Sequence, residues 1–327
     1  MVHTNHTLGI SCAVTGILAM SAMDVVIKWL SPVYPLHEII LVRTVIALLL
    51  TLIIVHFEGG LGLLKTKRPG LHFIRGSMIA VANMTFYLAL ALMPIAEASA
   101  MFYVAPLLIT ALSVPLLGEY VGARRWFAIS FGFVGVVLMS GVGTSTFKIE
   151  ALLPLIAALA YALTQLMTRK LGVTEKASVM AFYIGVVFIV VSAGFGLVVG
   201  DGHLVEAGGP GLEFLLRAWV MPDMDAIVLM VLCGGLVAVV AYMLTQAYRV
   251  SEANLIAPFE YIILPMAIIW GYVIWGEVPT FKTIIGIVLI AGSGTYVFAH
   301  ERSERKKAAK KQSASIQMDA VQMDENV

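Results

Sequence analysis

Apolar residues run along this chain in stretches of about twenty, cut by short polar or Gly/Pro breaks. Ten such stretches can be drawn: 8–30, 36–57, 71–92, 95–117, 124–142, 150–170, 179–200, 224–247, 252–275 and 280–298. About 20 residues rising 1.5 Å each cross a hydrocarbon layer of roughly 30 Å. Inside that layer every backbone N–H and C=O must be satisfied within its own segment, so each stretch is expected to be an α-helix. The breaks are short enough for turns between antiparallel neighbours: Ser31-Pro32, Lys65 to Pro69, Gly118-Glu119, Gly141-Val142-Gly143 and Leu171-Gly172. One connection is longer. Residues 200–211 read as a flexible polar loop, and Glu213 to Trp219 (EFLLRAW) as a short helix lying on the membrane surface.

The pattern is also heard twice. ALALMPIAEASAMFYVAP (Ala89 to Pro106) returns as AYRVSEANLIAPFEYIILP (Ala247 to Pro265), and the runs that follow close on Leu117-Gly118-Glu119 and Trp275-Gly276-Glu277. Gly76 and Gly234, Ala89 and Ala247, Gly118 and Gly276, Glu119 and Glu277 are all 158 residues apart. Asp24, Lys28 and Leu30 stand 141 residues before Gln165, Arg169 and Leu171; the change of offset, 17 residues, is about what the long loop would insert. Each copy holds five spans, and five is odd, so the second copy must enter the membrane upside down. The expected fold class is an all-α membrane protein of ten transmembrane helices arranged as two inverted five-helix repeats. Its expected divisions are 1–147, 148–299 and a disordered basic cytoplasmic tail, 300–327, that touches anionic lipid. Internal inverted repeats are a mark of secondary transporters, whose halves rock about a site near the midplane.

Composition agrees with burial in lipid: 60% of residues are hydrophobic and 13% charged, with a mean hydropathy of +0.94. A net charge of +1, with the basic residues scattered among loops and tail, gives no footing for nucleic acid. Cys12 and Cys233 both fall inside apolar runs and do not make a disulfide framework. The opening MVHTNHT lacks Lys and Arg, so the first run is expected to be a retained span rather than a cleaved leader. With the N-terminus placed in the cytoplasm, inner loops, inner helix ends and tail collect 16 of the 21 Lys and Arg residues. The positive-inside rule therefore puts both termini in the cytoplasm.

At particular residues the chain resembles a known group. Asp24 to Leu30 (DVVIKWL), Arg43, the run from Pro106 to Gly118-Glu119, Pro258 to Tyr261 (PFEY), and Leu264-Pro265 through Gly276-Glu277 are similar to the drug/metabolite transporter superfamily, specifically its ten-span EamA-type members. The resemblance covers about residues 8–299. It implies a bacterial inner-membrane carrier of small organic solutes, most simply an amino acid or related compound, with S-adenosylmethionine or another nucleotide-like or vitamin solute as the alternative. The PFEY segment looks most like carriers of S-adenosylmethionine or amino-acid-type solutes.

The polar residues that interrupt the apolar spans are the candidate site. Asp24 and Lys28 share a helix face; Asp24 lies roughly 9 Å, and Arg43 on the next span roughly 10 Å, from the outer end. Charges at such depth face the bundle interior or a partner. Two readings stand: an outer gate or substrate anchor, and a structural ion pair of Asp24 with Lys28 or Arg43. Glu260 approaches the midplane, where a carboxyl can carry a proton, attract a cationic solute, or simply bond a neighbouring helix. Asn83, Tyr87, Tyr103, Tyr161, Gln165, Tyr242 and Tyr261 supply polar groups at middle depths, expected in part to line a cavity and in part to join helices. Glu97, Glu119, Glu252 and Glu277 sit at span ends and are expected as caps or loop-bonding carboxylates. Pro106, Pro258 and Pro265 are expected to bend their spans.

No H-E-x-x-H, no G-x-S-x-G and no phosphate-cradling glycine loop occurs in the spans. No catalytic residue, metal site or cofactor is expected, and ATP-driven transport is disfavoured. The partners expected are a small solute and membrane lipid, with a proton or counter-solute as possible coupling partners. A membrane scaffold without transport is the rival reading.

Overall fold

In the computed structural model, residues 6–66, 68–118, 120–142, 149–171, 177–205, 212–250 and 256–299 are described. They form helices α1 (His6–Leu30), α2 (Leu36–Gly59), α3 (Pro69–Leu92), α4 (Ile95–Phe102), α5 (Ala105–Leu117), α6 (Ala123–Ser140), α7 (Leu152–Leu171), α8 (Ala177–Val199), α9 (Glu213–Leu216), α10 (Met224–Val250) and α11 (Ile263–Trp275). The last, α12, is Phe281–Ala299. No strand occurs among these residues. By length and hydropathy nine of the helical stretches can cross a membrane, and a tenth, Phe259–Trp275, is shorter.

The fourth and ninth spans are not single bent helices. The fourth breaks at Tyr103–Val104, and Pro106 occupies the second position of α5, where its missing N–H would have been unpaired in any case. The ninth opens as a 3-10 segment, Ala257–Ile262, before α11 begins. The expected proline bends are thus helix starts at Pro106 and a change of helix type around Pro258. α5 and α11 correspond closely: each has 13 residues, and 105–117 plus 158 gives 263–275. Both end on a left-handed glycine, Gly118 (φ 70°) and Gly276 (φ 66°), whose N–H groups return to Ser113/Val114 and Gly271/Tyr272 carbonyls. A side chain would strain either position.

Helix contacts fall into matched pairs. α1 packs on α10 as α3 packs on α7; α2 packs on α10 as α3 packs on α8. α5 meets α7, while α1 meets the 3-10 segment and α11. α2 with α8 is matched to itself, and the fourth and ninth spans meet through α4 and α11. Two close crossings repeat as well. A Cβ on Gly76 of α3 would lie 2.6 Å from Val187 of α8, and one on Gly234 of α10 would lie 2.6 Å from Ile46 of α2. Gly76 and Gly234 are 158 apart, Ile46 and Val187 are 141 apart. Small residues let these backbones approach where lipid gives helices no hydrophobic reason to associate. α6 and α12 cross in the same way, with a Gly135 Cβ 3.0 Å from the Gly286 carbonyl, whereas a Cβ on Gly292 would meet nothing within 4 Å.

α2 and α8 run antiparallel. Ser178, at the start of α8, donates to Glu58 at the end of α2 (2.6 Å), while the His37 and Phe195 rings at the other end lie 6.4 Å apart. The segment after the long loop is helical only over Glu213–Leu216; beyond it the chain is a strap tied to the bundle. Arg217 donates to the Ser31 carbonyl (3.1 Å), the Val220 N–H to Glu38 (3.2 Å), and the Trp219 N–H to Gly200 (3.0 Å). In the loop before it, the Asp201 carboxyl is held below the usual carboxylate range, chiefly by its hydrogen bond with His203.

Candidate functional site

The polar groups gather where α1, α2 and α3 meet α4, α7 and the 3-10 segment. Arg43 is 4% exposed. Its Nη1 donates to the Tyr87 hydroxyl (3.0 Å) and meets Met23 Sδ (3.6 Å), and Nη2 donates to Asn83 Oδ1 (3.3 Å). The guanidinium also stands 4.9 Å from the Tyr87 ring centroid. Asp24 is 2% exposed, and its Oδ1 has no hydrogen-bond partner. Arg43 is the opposite charge that acts on it.

Around these charges lies an aromatic wall. Phe86 and Phe102 have centroids 4.8 Å apart, Phe102 and Tyr103 5.5 Å, Phe102 and Tyr161 5.5 Å, and Tyr103 and Tyr261 6.1 Å. Tyr103 is within electrostatic reach of Asp24, Glu260, Tyr161 and Tyr261 together. Tyr161 hydrogen-bonds Gln165 and feels Glu260. Asp24, Arg43, Asn83, Tyr87, Tyr103, Tyr161, Gln165, Glu260 and Tyr261 therefore share one region. Tyr242 does not join it: that residue is 49% exposed on α10.

Lys28 has turned elsewhere. It does not pair with Asp24; its Nζ lies 2.7 Å from Glu277 Oε1, with the two side chains 9% and 23% exposed. The same ammonium donates to the Met93 carbonyl (3.0 Å) and stands 5.0 Å from the Trp275 ring centroid. The other oxygen of Glu277 accepts the Ile95 N–H (3.0 Å). One ion pair thus clasps α1, the α3–α4 turn and the α11–α12 connection over the Trp275 end of the polar region. The alternation of partners follows from helix geometry: one turn separates Asp24 from Lys28, and that rise carries Lys28 out of the cluster and level with the loops. Glu277 was read as a loop-bonding carboxylate, which it is; its ion pair with a residue 249 positions away leaves no local sequence trace.

A second missed group is Arg75, counted from the sequence only as a cation at a helix end. It is 3% exposed and donates to Thr168 Oγ1 (3.2 Å) and the Met180 carbonyl (2.6 Å), joining α3, α7 and α8. Nearby, the His72 and Tyr183 rings stack with centroids 4.5 Å apart. α3 begins at Pro69, two residues before the expected edge, which places Arg75 deeper than the sequence implied. Glu119, Glu252 and the side chain of Arg169 lie outside the described residues. An apolar groove of about 570 Å³ runs along the seam of α6 and α12, lined by Phe127, Phe131, Val288 and Tyr296. Its lining shares no residue with the polar cluster.

Comparison with known proteins places this arrangement. Residues 7–141 match the EamA-like transporter family. Over 302 residues the chain is 26% identical to an S-adenosylmethionine uptake transporter of Rickettsia bellii, covering 92% of this chain and 97% of that one. The family match and the full-length relatives both liken the chain to EamA-type carriers of the drug/metabolite superfamily. The chain is also 28% identical to a riboflavin transporter of Rhizobium johnstonii over 250 residues (76% and 77% covered). It is 26% identical to a pseudopaline exporter of Pseudomonas aeruginosa over 284 residues (86% and 93% covered). A protein of known crystal structure shares the fold with a TM-score of 0.60 at 20% identity, covering 91% of this chain and 98% of that one. These relatives are named as transporters of small metabolites, and the helices of this chain are those of a multi-pass membrane protein.

Proposed function

We propose that this EamA-type transporter is a secondary carrier of S-adenosylmethionine or a related nucleotide-like solute, working by alternating access. The observation that carries the reading is the buried cluster of Asp24, Arg43 and tyrosines, set where helices of the two halves meet. Charges so placed are costly in a bilayer unless they serve a solute or an ion. Residues 1–147 and 148–299 are the two inverted repeats, a reading supported by the matched helix contacts and the shared offsets of α5 and α11. The Lys28–Glu277 clasp is a gate on the outer side, closed in this conformation. Both termini lie in the cytoplasm and the membrane is the bacterial inner membrane, as the Lys and Arg distribution and the bacterial relatives support. An amino acid is the second reading, because Asp24 and Arg43 together complement an ammonium and a carboxylate.

Uptake by proteoliposomes tests this. Saturable accumulation of radiolabelled S-adenosylmethionine, repeated with riboflavin and an amino-acid set and under an imposed pH gradient, separates solutes and coupling. The expected result is saturable S-adenosylmethionine flux that Arg43→Gln abolishes. Absence of flux for every compound sinks the carrier reading.

A further inference from the structure

We infer that residues 212–223, α9 with the strap that follows it, form a latch on the outer gate, positioned by Arg217 and Trp219. The inference rests on the reading of Lys28–Glu277 as that gate, and extends it to a segment with no counterpart of its length in the first half. α2 and α3 are joined through residues 60–68, whereas the matching helices α8 and α10 are joined through residues 200–223. The added length falls at the His37 end of α2, where Phe195 of α8 lies. The two ends of the inverted pair are therefore not equivalent, and the end that holds the clasp carries the strap.

A continuous run of contacts joins the strap to the clasp. Lys28 holds Glu277 through its ammonium, and its own carbonyl accepts the Ser31 hydroxyl (2.8 Å). The Ser31 carbonyl in turn accepts Arg217 Nη1 (3.1 Å). Two further ties reach the start of α2: the Val220 N–H donates to Glu38 Oε2 (3.2 Å), and the Asp223 N–H to the Tyr34 hydroxyl (3.4 Å). The strap is seated on α8 as well. The Trp219 N–H donates to the Gly200 carbonyl (3.0 Å), and a Cβ on Gly196 would stand 2.6 Å from the indole Nε1. Gly200 admits the same ring because it too lacks a side chain. The strap thus bridges the end of α8 and the α1–α2 turn. Lys28 cannot swing away from Glu277 with that turn unless the Arg217 tie follows it or breaks.

Polar groups beneath the strap separate a latch from a permanent brace. Glu38 is buried and its Oε1 has no hydrogen-bond partner. His37 is buried too, its ring set between Phe195 (6.4 Å) and the edge of Trp219 (5.6 Å). That ring faces the Leu215 backbone, yet neither nitrogen makes a hydrogen bond of good geometry. Buried polar atoms left unpaired carry a cost that contact with water removes. The seated strap bears this cost, lifting relieves it, and the ties of Arg217, Val220 and Trp219 oppose it. A segment held by opposed terms of this kind moves at little net cost, as a part that opens in every cycle must.

Maleimide labelling of the full-length protein tests the latch. Ser99→Cys, in a Cys12→Ser/Cys233→Ala background, reads the outer gate from α4, outside the strap's hydrogen bonds. Arg217→Gln removes the tie at Ser31 and Trp219→Ala the seat on α8; each should raise the labelling rate at least about threefold. The two variants act at opposite edges of the strap, so either one carries the test should the other fail to fold. Met221→Ala, on the same strap but 95% exposed, should leave the rate unchanged. Arg75→Gln, which loosens α3, α7 and α8 elsewhere, should leave it unchanged too, and so separates gate opening from general loss of stability. An unchanged rate in folded Arg217→Gln and Trp219→Ala, or equal acceleration by Met221→Ala or Arg75→Gln, overturns the latch. Glu277→Gln is labelled in parallel. Acceleration there without acceleration in the strap variants keeps the gate and removes the latch. Acceleration in the strap variants alone keeps the strap as the restraint on this end and removes the clasp as the gate.

Discussion

Glu277→Gln should open the Trp275 end of the transporter. In the clasped conformation the carboxylate holds Lys28 at 2.7 Å and the Ile95 N–H at 3.0 Å. A glutamine keeps an acceptor for Ile95 but leaves the ammonium of Lys28 with the Met93 carbonyl and the Trp275 ring alone. Breaking a fully buried pair costs about 3–5 kcal/mol. Glu277 is 23% exposed and partly screened, so about 2–3 kcal/mol is the reasonable share here. When the clasp is open both groups reach water, and the loss falls mainly on the closed state. At 1.4 kcal/mol per factor of ten, the balance between states moves by about 30- to 100-fold. A cysteine placed at Ser99, 1% exposed on α4 one turn below Ile95, reports it, in a background of Cys12→Ser and Cys233→Ala. An impermeant maleimide applied from the Trp275 side should label it at least about tenfold faster in Glu277→Gln and in Lys28→Met. The double variant Lys28→Met/Glu277→Met leaves no orphaned charge and should label more slowly than either single one. Unchanged labelling in folded single variants refutes the gate.

Other substitutions probe separate parts of the account. Arg43→Lys should lose flux nearly as fully as Arg43→Gln, because an ammonium cannot donate to Tyr87 and Asn83 from two nitrogens at once; proteoliposome uptake checks this. Arg75→Gln should lower stability by about 1–3 kcal/mol, read as a fall in Tm, since it strips donors from Thr168 and the Met180 carbonyl. Flux per folded molecule should survive that change. Gly286→Leu should separate α6 from α12, because its added side chain meets Met139 and the Gly135 carbonyl; a drop in Tm and in yield of monodisperse protein is expected, whereas Gly292→Ala, which meets nothing, should leave both unchanged.

The fold was legible because lipid imposes one rule on every span: about twenty apolar residues closed by punctuation. Gly118 and Gly276 marked the ends of α5 and α11 to the residue, since a left-handed cap has few alternatives to glycine. The break at Tyr103–Val104 was not legible, because an apolar run gives no local signal of where its backbone turns. Much of the polar cluster was visible as residues that a bilayer rejects. Their pairing was not. The neighbour four positions away made Asp24–Lys28 the natural pair, whereas Glu277, distant in sequence, captured the lysine by offering both an oxygen to Lys28 and another to Ile95. Tyr242 had the right depth and the wrong azimuth, which the weakly amphipathic α10 does not betray.

The account depends most on the two halves facing opposite ways. Phe57 and Val198 are 141 residues apart, the offset that relates Ile46 to Val187, and they end antiparallel helices α2 and α8 with 83% and 64% exposure. Single cysteines at these two positions, probed in intact cells with an impermeant maleimide, should behave as opposites: Val198→Cys labelled at once, Phe57→Cys labelled only after the cells are permeabilised. Labelling of both from the same side would contradict it.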